Sequence, residues 1–298
     1  MTKIVECIPN FSEGVDNAII EGLADIVRST QGATLLDYSS DASHNRSVFT
    51  FVGSIEAAKS CAVALAKYAA EKIDLTAHVG EHPRMGAVDV MPFVPVKNMT
   101  MEEAVVLSKE VGEQIAAQAG IPVFLYEESA AKEARRNLAA IRKGQFEGMA
   151  EKMKKDAWKP DFGPDQPHPT AGVVAVGARM PLIAFNVNLS TSDVSIANNI
   201  AKIIRGSSGG FKAVKGIGIM LEDRGIAQVS MNMVNYEATP LYRVVELIRM
   251  EAARYGVTIT GTELIGLAPA KALIDSAEYY LQIENFDYGK QVLENHLL

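Results

Sequence analysis

Cysteine is scarce in this chain: Cys7 and Cys61 are the only two in 298 residues. They stand in apolar stretches without metal-ligand or redox spacing. That excludes a disulfide framework and reads as reduced thiols in a cytoplasmic protein. No window approaches twenty consecutive apolar residues, so no membrane-spanning helix is expected. The first residues, MTKIVECIPNF, lack a charged segment followed by a long apolar run, so a secretory signal is not expected either. Positive charge is in deficit, with 29 Lys and Arg against 36 Asp and Glu and a net charge of −7. A basic surface for nonspecific nucleic-acid binding is therefore missing. Anionic small molecules remain possible ligands where Arg and Lys cluster locally. The Gly-rich run at 205–210, RGSSGG, lacks the Lys-Ser/Thr ending of a phosphate loop and reads as a helix end followed by a turn.

An apolar content of 48% and a charged content of 22% are those of a globular protein, and the length suits two medium domains better than one. Residues 77–96, AHVGEHPRMGAVDVMPFVPV, organise the chain. They gather His78, Glu81, His82, Arg84 and Asp89 just before an apolar strand expected over 88–94. Gly80 and Pro83 oppose a helix, so the polar residues read as a loop held by a rigid strand, a usual place for catalytic groups. Three readings of the histidines stand. His78-Val-Gly-Glu-His82 fits the H-x-x-E-H pattern of a class of zinc peptidases, but that pattern needs a helix. The histidines also fit a solvated loop, or a site where one of them moves protons.

Apolar periodicity gives strands over 3–8, 33–37 and 47–52, helices over 16–29 and 55–73, then the strand at 88–94. A helix over 101–118, a strand over 121–126 and a basic helix over 130–142 follow. After Pro181 the same βαββαβ order recurs: strand 182–188, helix 193–205, strands 215–220 and 225–233, helix 241–254 and strand 257–264. Thr191 or Ser192 is the expected cap of the helix at 193. The expected fold is α/β (α+β), two lobes of ferredoxin-like order, each a sheet with helices on one face. The domain boundaries are 1–180 and 181–298. Between the lobes, 144–172 reads as a Pro- and Gly-rich connection. It carries Trp158, Phe162 and His168, rings suited to stacking on a planar ligand at a domain junction.

With these pieces in view, the chain resembles the glutamate formimidoyltransferase (glutamate formiminotransferase) family. The segments that carry the resemblance are VECIPNFSEG at 5–14, HNRSVFTFVG at 44–53 and GEHPRMGAVDVMPFVPV at 80–96, with WKPDFGP at 158–164 and IAFNVNL at 183–189. The resemblance covers nearly the full length and implies a stand-alone transferase without the cyclodeaminase half found in vertebrate relatives. It implies transfer of a formimino group from N-formimino-L-glutamate to N5 of tetrahydrofolate, a co-substrate, with no metal. The family's catalytic histidine falls on His82. Its folate-binding stretch falls on Gly163, Pro164, Asp165, Gln166, Pro167, His168, Pro169, Thr170, Ala171 and Gly172. The frame residues Gly163, Pro164 and Gly172 keep the family pattern, whereas 165–171 depart from the vertebrate one.

That chemistry needs one group able to take a proton from the attacking amine and return it to the leaving nitrogen, and a histidine does both near neutral pH. The donor's carboxylates need cationic partners. Arg46 and Arg84 are the first candidates, with Asn10 and Asn45 as further substrate contacts. A homodimer in the cytoplasm, acting on small molecules rather than nucleic acid or membrane, is expected. Formyl instead of formimino transfer, and noncatalytic folate binding, are the competing functions.

Overall fold

Pro9 breaks the first strand line into β1 (Ile4–Cys7) and β2 (Asn10–Phe11), because proline has no N–H for the ladder. Helix α1 (Asn17–Ser29) follows, capped by the Asp16 carboxylate on the N–H groups of Ala18 and Ile19. Next come β3 (Ala33–Asp41), β4 (Arg46–Gly53), α2 (Ile55–Lys72) and β5 (Val88–Lys97). Helix α3 (Met101–Ala119) opens on a Thr100/Glu103 capping box and stops at Gly120 in the left-handed region. Then β6 (Val123–Leu125), α4 (Leu138–Arg142), α5 (Gln145–Met153) and β7 (Val174–Ala178) complete the first of two compact units, which divide after Arg179. The computed structural model describes residues 2–296.

In the first unit β4 pairs antiparallel with β3, β1 and β2, and β5 pairs antiparallel with β1 and β2. This is the expected βαββαβ sheet order. On β4, burial alternates strictly, and Phe49 and Phe51 join residues of α1, α2 and α3 in one core. The sheet then continues beyond the expected frame: β7 pairs in parallel with β5 and with β6. Strands β5, β6 and β7 are buried on both faces, as parallel strands usually are. Their second face carries Val90, Phe124 and Ala175 against Ile141 of α4 and Met149 and Met153 of α5. The expected helical layer is thus joined, over this end of the sheet, by a second one.

Two expectations need correction here, and one strand is new. Residues 144–172 are not a connection between lobes: they form α5, a 3-10 turn at Asp156–Trp158, and a loop leading into β7 of the same sheet. The basic helix over 130–142 is reduced to the five residues of α4, with 3-10 turns at Glu127–Ser129 and Glu133–Arg135 before it. Arg135 is fully buried there. Its guanidinium holds the Asp161 carboxylate at 2.8 Å and donates to the carbonyls of Ala157 and Lys159. Those long-range bonds turn inward a residue that a surface helix would have exposed. Strand β7, VAVGA, was not anticipated, because a five-residue apolar run carries no alternation to recognise.

The second unit contains β8 (Ile183–Leu189), α6 (Val194–Ile204), β9 (Val214–Leu221), β10 (Ile226–Met233), α7 (Leu241–Ala253) and β11 (Ile259–Ile265). The antiparallel sheet order β11-β8-β10-β9 is that of the ferredoxin-like frame. Asp193, rather than Thr191 or Ser192, caps α6 through the Ser195 N–H, while Thr191 Oγ1 accepts from the Asp193 N–H. The run at 205–210 is a helix end and 3-10 turn, as expected. Helices α8 (Ala270–Leu281) and α9 (Tyr288–Gln291) follow β11. Among the described residues, no helix is long and apolar enough to cross a membrane.

Candidate active site

The organising loop is non-helical, as Gly80 and Pro83 require, so the histidines do not share one helix face. Three neighbours hold it. Ser43 of the β3–β4 turn accepts from the Glu81 N–H at 3.1 Å, Arg84 accepts from the Phe146 N–H at 2.9 Å, and Met85 accepts from the Val173 N–H at 3.0 Å. Each lies on a different part of the first unit, so the loop is positioned only after the sheet has assembled.

Asp89 sets the loop's end. Phe11 pairs with Val88 and Asn10 with Val90, which leaves Asp89 as the extra residue of a β-bulge. Bulges re-aim side chains at sites of this kind. The Asp89 carboxylate, 1% exposed, accepts from the Met85 N–H at 2.9 Å and from Arg142 Nη2 at 2.5 Å. Burial pushes its carboxyl up, and Arg142 pulls it back toward the ionised form.

His82 is half-buried next to positive charge. Its pKa is pushed down to about 4, first by desolvation and then by Arg46, Arg142, His44 and His78. At neutral pH this keeps it an uncharged imidazole. Arg46 opens β4 on the sheet face opposite Phe49, and its guanidinium makes no hydrogen bond or ion pair among the described residues. Burial and Arg142 lower its affinity for the proton, while Asp89 and Asp41 partly offset them. Asn10 lies in register with Val48 on that same face, its amide donating to the Ile8 carbonyl at 3.1 Å.

The other candidates are engaged in bonds within the fold. Asn45, with φ 47°, accepts from the Gly14 N–H and donates to the Val79 carbonyl, both at 2.9 Å. Arg84 is 9% exposed and binds the Glu147 carboxylate with two nitrogens, at 2.7 and 2.9 Å. Its Nε donates to His78 Nδ1 at 3.2 Å, which makes His78 Nε2 the donor to the Asn45 carbonyl at 2.9 Å. His78 is therefore a strut between two loops, not the dispensable surface residue that a solvated loop would hold.

The 163–172 segment is joined to the His82 loop. Thr170 and Ala171 accept from the N–H groups of Leu75 and Ala87, and Gly86 bridges to Gly172. A Cβ at Gly86 would meet the Val173 carbonyl and one at Gly172 the Met85 carbonyl, and Gly172 also has φ +65°. Only glycines allow that crossing. His168 Nδ1 accepts from the Ala171 N–H at 3.0 Å and closes the turn. Gly163, Pro164, Asp165, Gln166 and Pro169 are exposed, and Pro167 and Thr170 partly so; Asp165 takes Lys159 Nζ at 2.8 Å. Trp158 and Phe162 are not free platforms: Trp158 packs on the α4–α5 side of the sheet under Lys152, and Phe162 packs on the main core.

The sequence reading missed the roles of Arg142 and Glu147, and no local signal marks them. Asp89 did carry one: a carboxylate inside VDVMPFVPV must find a cation once buried. In the second unit, the sheet face away from α6 and α7 carries a bonded cluster. Gln228 Nε2 donates to Asn188 and Glu263, Asn188 Nδ2 to Glu263, and Arg224 to Glu263.

Comparison with known proteins shows the family. Residues 4–179 match the family model described as the formiminotransferase domain, N-terminal subdomain, and residues 184–295 match the formiminotransferase domain. The chain is 65% identical to a glutamate formimidoyltransferase of Streptococcus pyogenes serotype M1, with all of both chains covered. It is 47% identical to one of Thermoplasma acidophilum, over 99% of this chain and 97% of the relative. With the formimidoyltransferase-cyclodeaminase of Gallus gallus it shares 46% identity over 95% of this chain and 53% of the relative. The chain belongs to the formiminotransferase family and is a transferase.

Proposed function

We propose that the protein transfers the formimino group of N-formimino-L-glutamate to N5 of tetrahydrofolate, releasing L-glutamate, with His82 as the proton carrier. The observation that carries this is the placing of His82, half-buried on a loop that is hydrogen-bonded to the 163–172 segment. N5 adds to the amidine carbon, forming a C–N bond as the C=N π pair moves onto the imino nitrogen; that pair re-forms the C=N bond when the glutamate nitrogen leaves. The neutral imidazole takes the N5 proton and passes it to the glutamate nitrogen, and the old C–N bond then breaks with its electron pair leaving on that nitrogen. Folate lies against 163–172, whose exposed Gly163–Gln166 side is open to a planar ring while Thr170–Gly172 fixes its distance from His82. Tetrahydrofolate is consumed as co-substrate, and the chain's own residues supply the acid–base chemistry.

The test is turnover to 5-formimino-tetrahydrofolate with N-formimino- and N-formyl-glutamate offered separately. The formimino donor is expected to turn over faster. His82→Ala is expected to fold, retain folate and lose ~10²-fold or more in turnover. Wild-type turnover in that variant removes the histidine from the mechanism, and faster formyl transfer changes the reaction.

A further inference from the structure

We propose that Arg46 and Arg142 form a seat for one carboxylate of the donor, and that filling this seat lets His82 hold a proton. The inference rests on the transfer reading above and names the groups that grip the substrate.

Out of open solvent, the charges do not balance in the resting fold. Two guanidinium groups from distant elements, β4 and α4, act on the same imidazole and repel each other. Among the described residues Asp89 is the one carboxylate bonded to either, and it engages Nη2 of Arg142 alone. Nε of Arg142 is buried with no acceptor, a rare and costly condition for a guanidinium N–H. Arg46 has no acceptor of any kind among the described residues. Asp41, the other acid acting on Arg46, is exposed and bonded to the ring and backbone of His44. The other groups bearing on His82 are His44 from the β3–β4 turn and His78 from its own loop, and the adjacent Glu81 is exposed to solvent. Of the groups out of open solvent, Arg46 and Arg142 face the single carboxylate of Asp89, while Asp41 is exposed and turned to His44. A planar carboxylate is the group that a pair of guanidinium forks receives best.

The consequence falls on His82. With the seat empty, two cations oppose its protonation. A bound carboxylate neutralises them and restores the ring's basicity toward the ordinary histidine range. The imidazole then becomes basic enough to hold the N5 proton only when the donor is present. Departure of L-glutamate, carboxylates included, empties the seat and returns the ring to its less basic state.

The probe is L-glutamate, which carries the donor's two carboxylates and no transferable group. In ring-labelled protein, the His82 resonance, assigned by its loss in His82→Gln, is titrated with and without saturating L-glutamate. The pKa is expected to rise by at least one unit, a tenfold change in proton affinity, and calorimetry at pH 6 in two buffers is expected to show proton uptake on binding. Arg46→Gln removes no bond of the resting fold. It is expected to weaken glutamate at least tenfold and abolish the upward shift. Arg142→Lys keeps a charge beside Asp89 and is expected to weaken glutamate similarly. Glutamate binding with the His82 titration unmoved, or equal binding in both variants, overturns the seat. Wild-type turnover measured alongside separates the two ideas. Turnover with equal binding in the variants leaves the reaction standing and removes the seat. No turnover with a glutamate-linked His82 shift keeps the seat and removes the reaction.

Discussion

Replacing Asp89 with Asn strands a guanidinium that the fold has taken out of water. Asp89 is 1% exposed and the Arg142 side chain 19% exposed, so the pair is largely desolvated. Breaking such a pair from one side costs about 3–5 kcal/mol. Asn keeps an oxygen for the Met85 N–H, and Arg142 retains some access to water, which places the expected loss near the low end, ~3 kcal/mol. Trp158 is the only tryptophan and lies in the first unit, packed beside α4 and α5, so its fluorescence follows that unit alone in urea. The expected midpoint shift is ~1–2 M. The double variant Asp89→Asn with Arg142→Gln removes both charges and should recover part of the loss, giving a coupling of ~1 kcal/mol or more. A single variant within ~0.5 kcal/mol of wild type, or strictly additive losses, would show that Asp89 does not hold Arg142 and the His82 loop together.

Arg84→Ala should lower stability by ~1–3 kcal/mol, since Arg84 is buried and supports both Glu147 and His78. The Michaelis constant for the donor should stay within threefold; an unchanged urea midpoint with a tenfold rise in that constant would instead place Arg84 on substrate. The His82 shift gives a pH dependence with a definite sign. Its folded pKa, about 4, lies below the unfolded 6.5, so the unfolded chain binds more protons between these values. Stability is full above about pH 6.5 and falls as pH drops toward 4. For a half-buried ring we discount the full conversion to ~1–2 kcal/mol. His82→Gln should flatten that part of the curve, and parallel wild-type and variant curves between pH 7 and 4 would refute it.

Alternating and 3.6-residue periodicities determined most strands and helices, because they depend on which residues a single element can bury. The two βαββαβ frames were legible on that basis, and His82 stood out because its loop concentrates polar residues between Gly and Pro. Strand β7 was not legible: its apolar run has no period, and only pairing between β5 and β6 makes it a strand. The charge environment of His82 was not legible either. Arg142 meets Asp89 across 53 positions of sequence, through a bulge that exists only when β2 and β5 pair. Arg84 and Arg46 look alike as sequence, each beside a polar loop, yet one is spent on Glu147 and the other is left unpaired. Sequence sets which side chains carry charge; which charges are neutralised depends on neighbours brought together by the sheet, and so only the tertiary structure decided it.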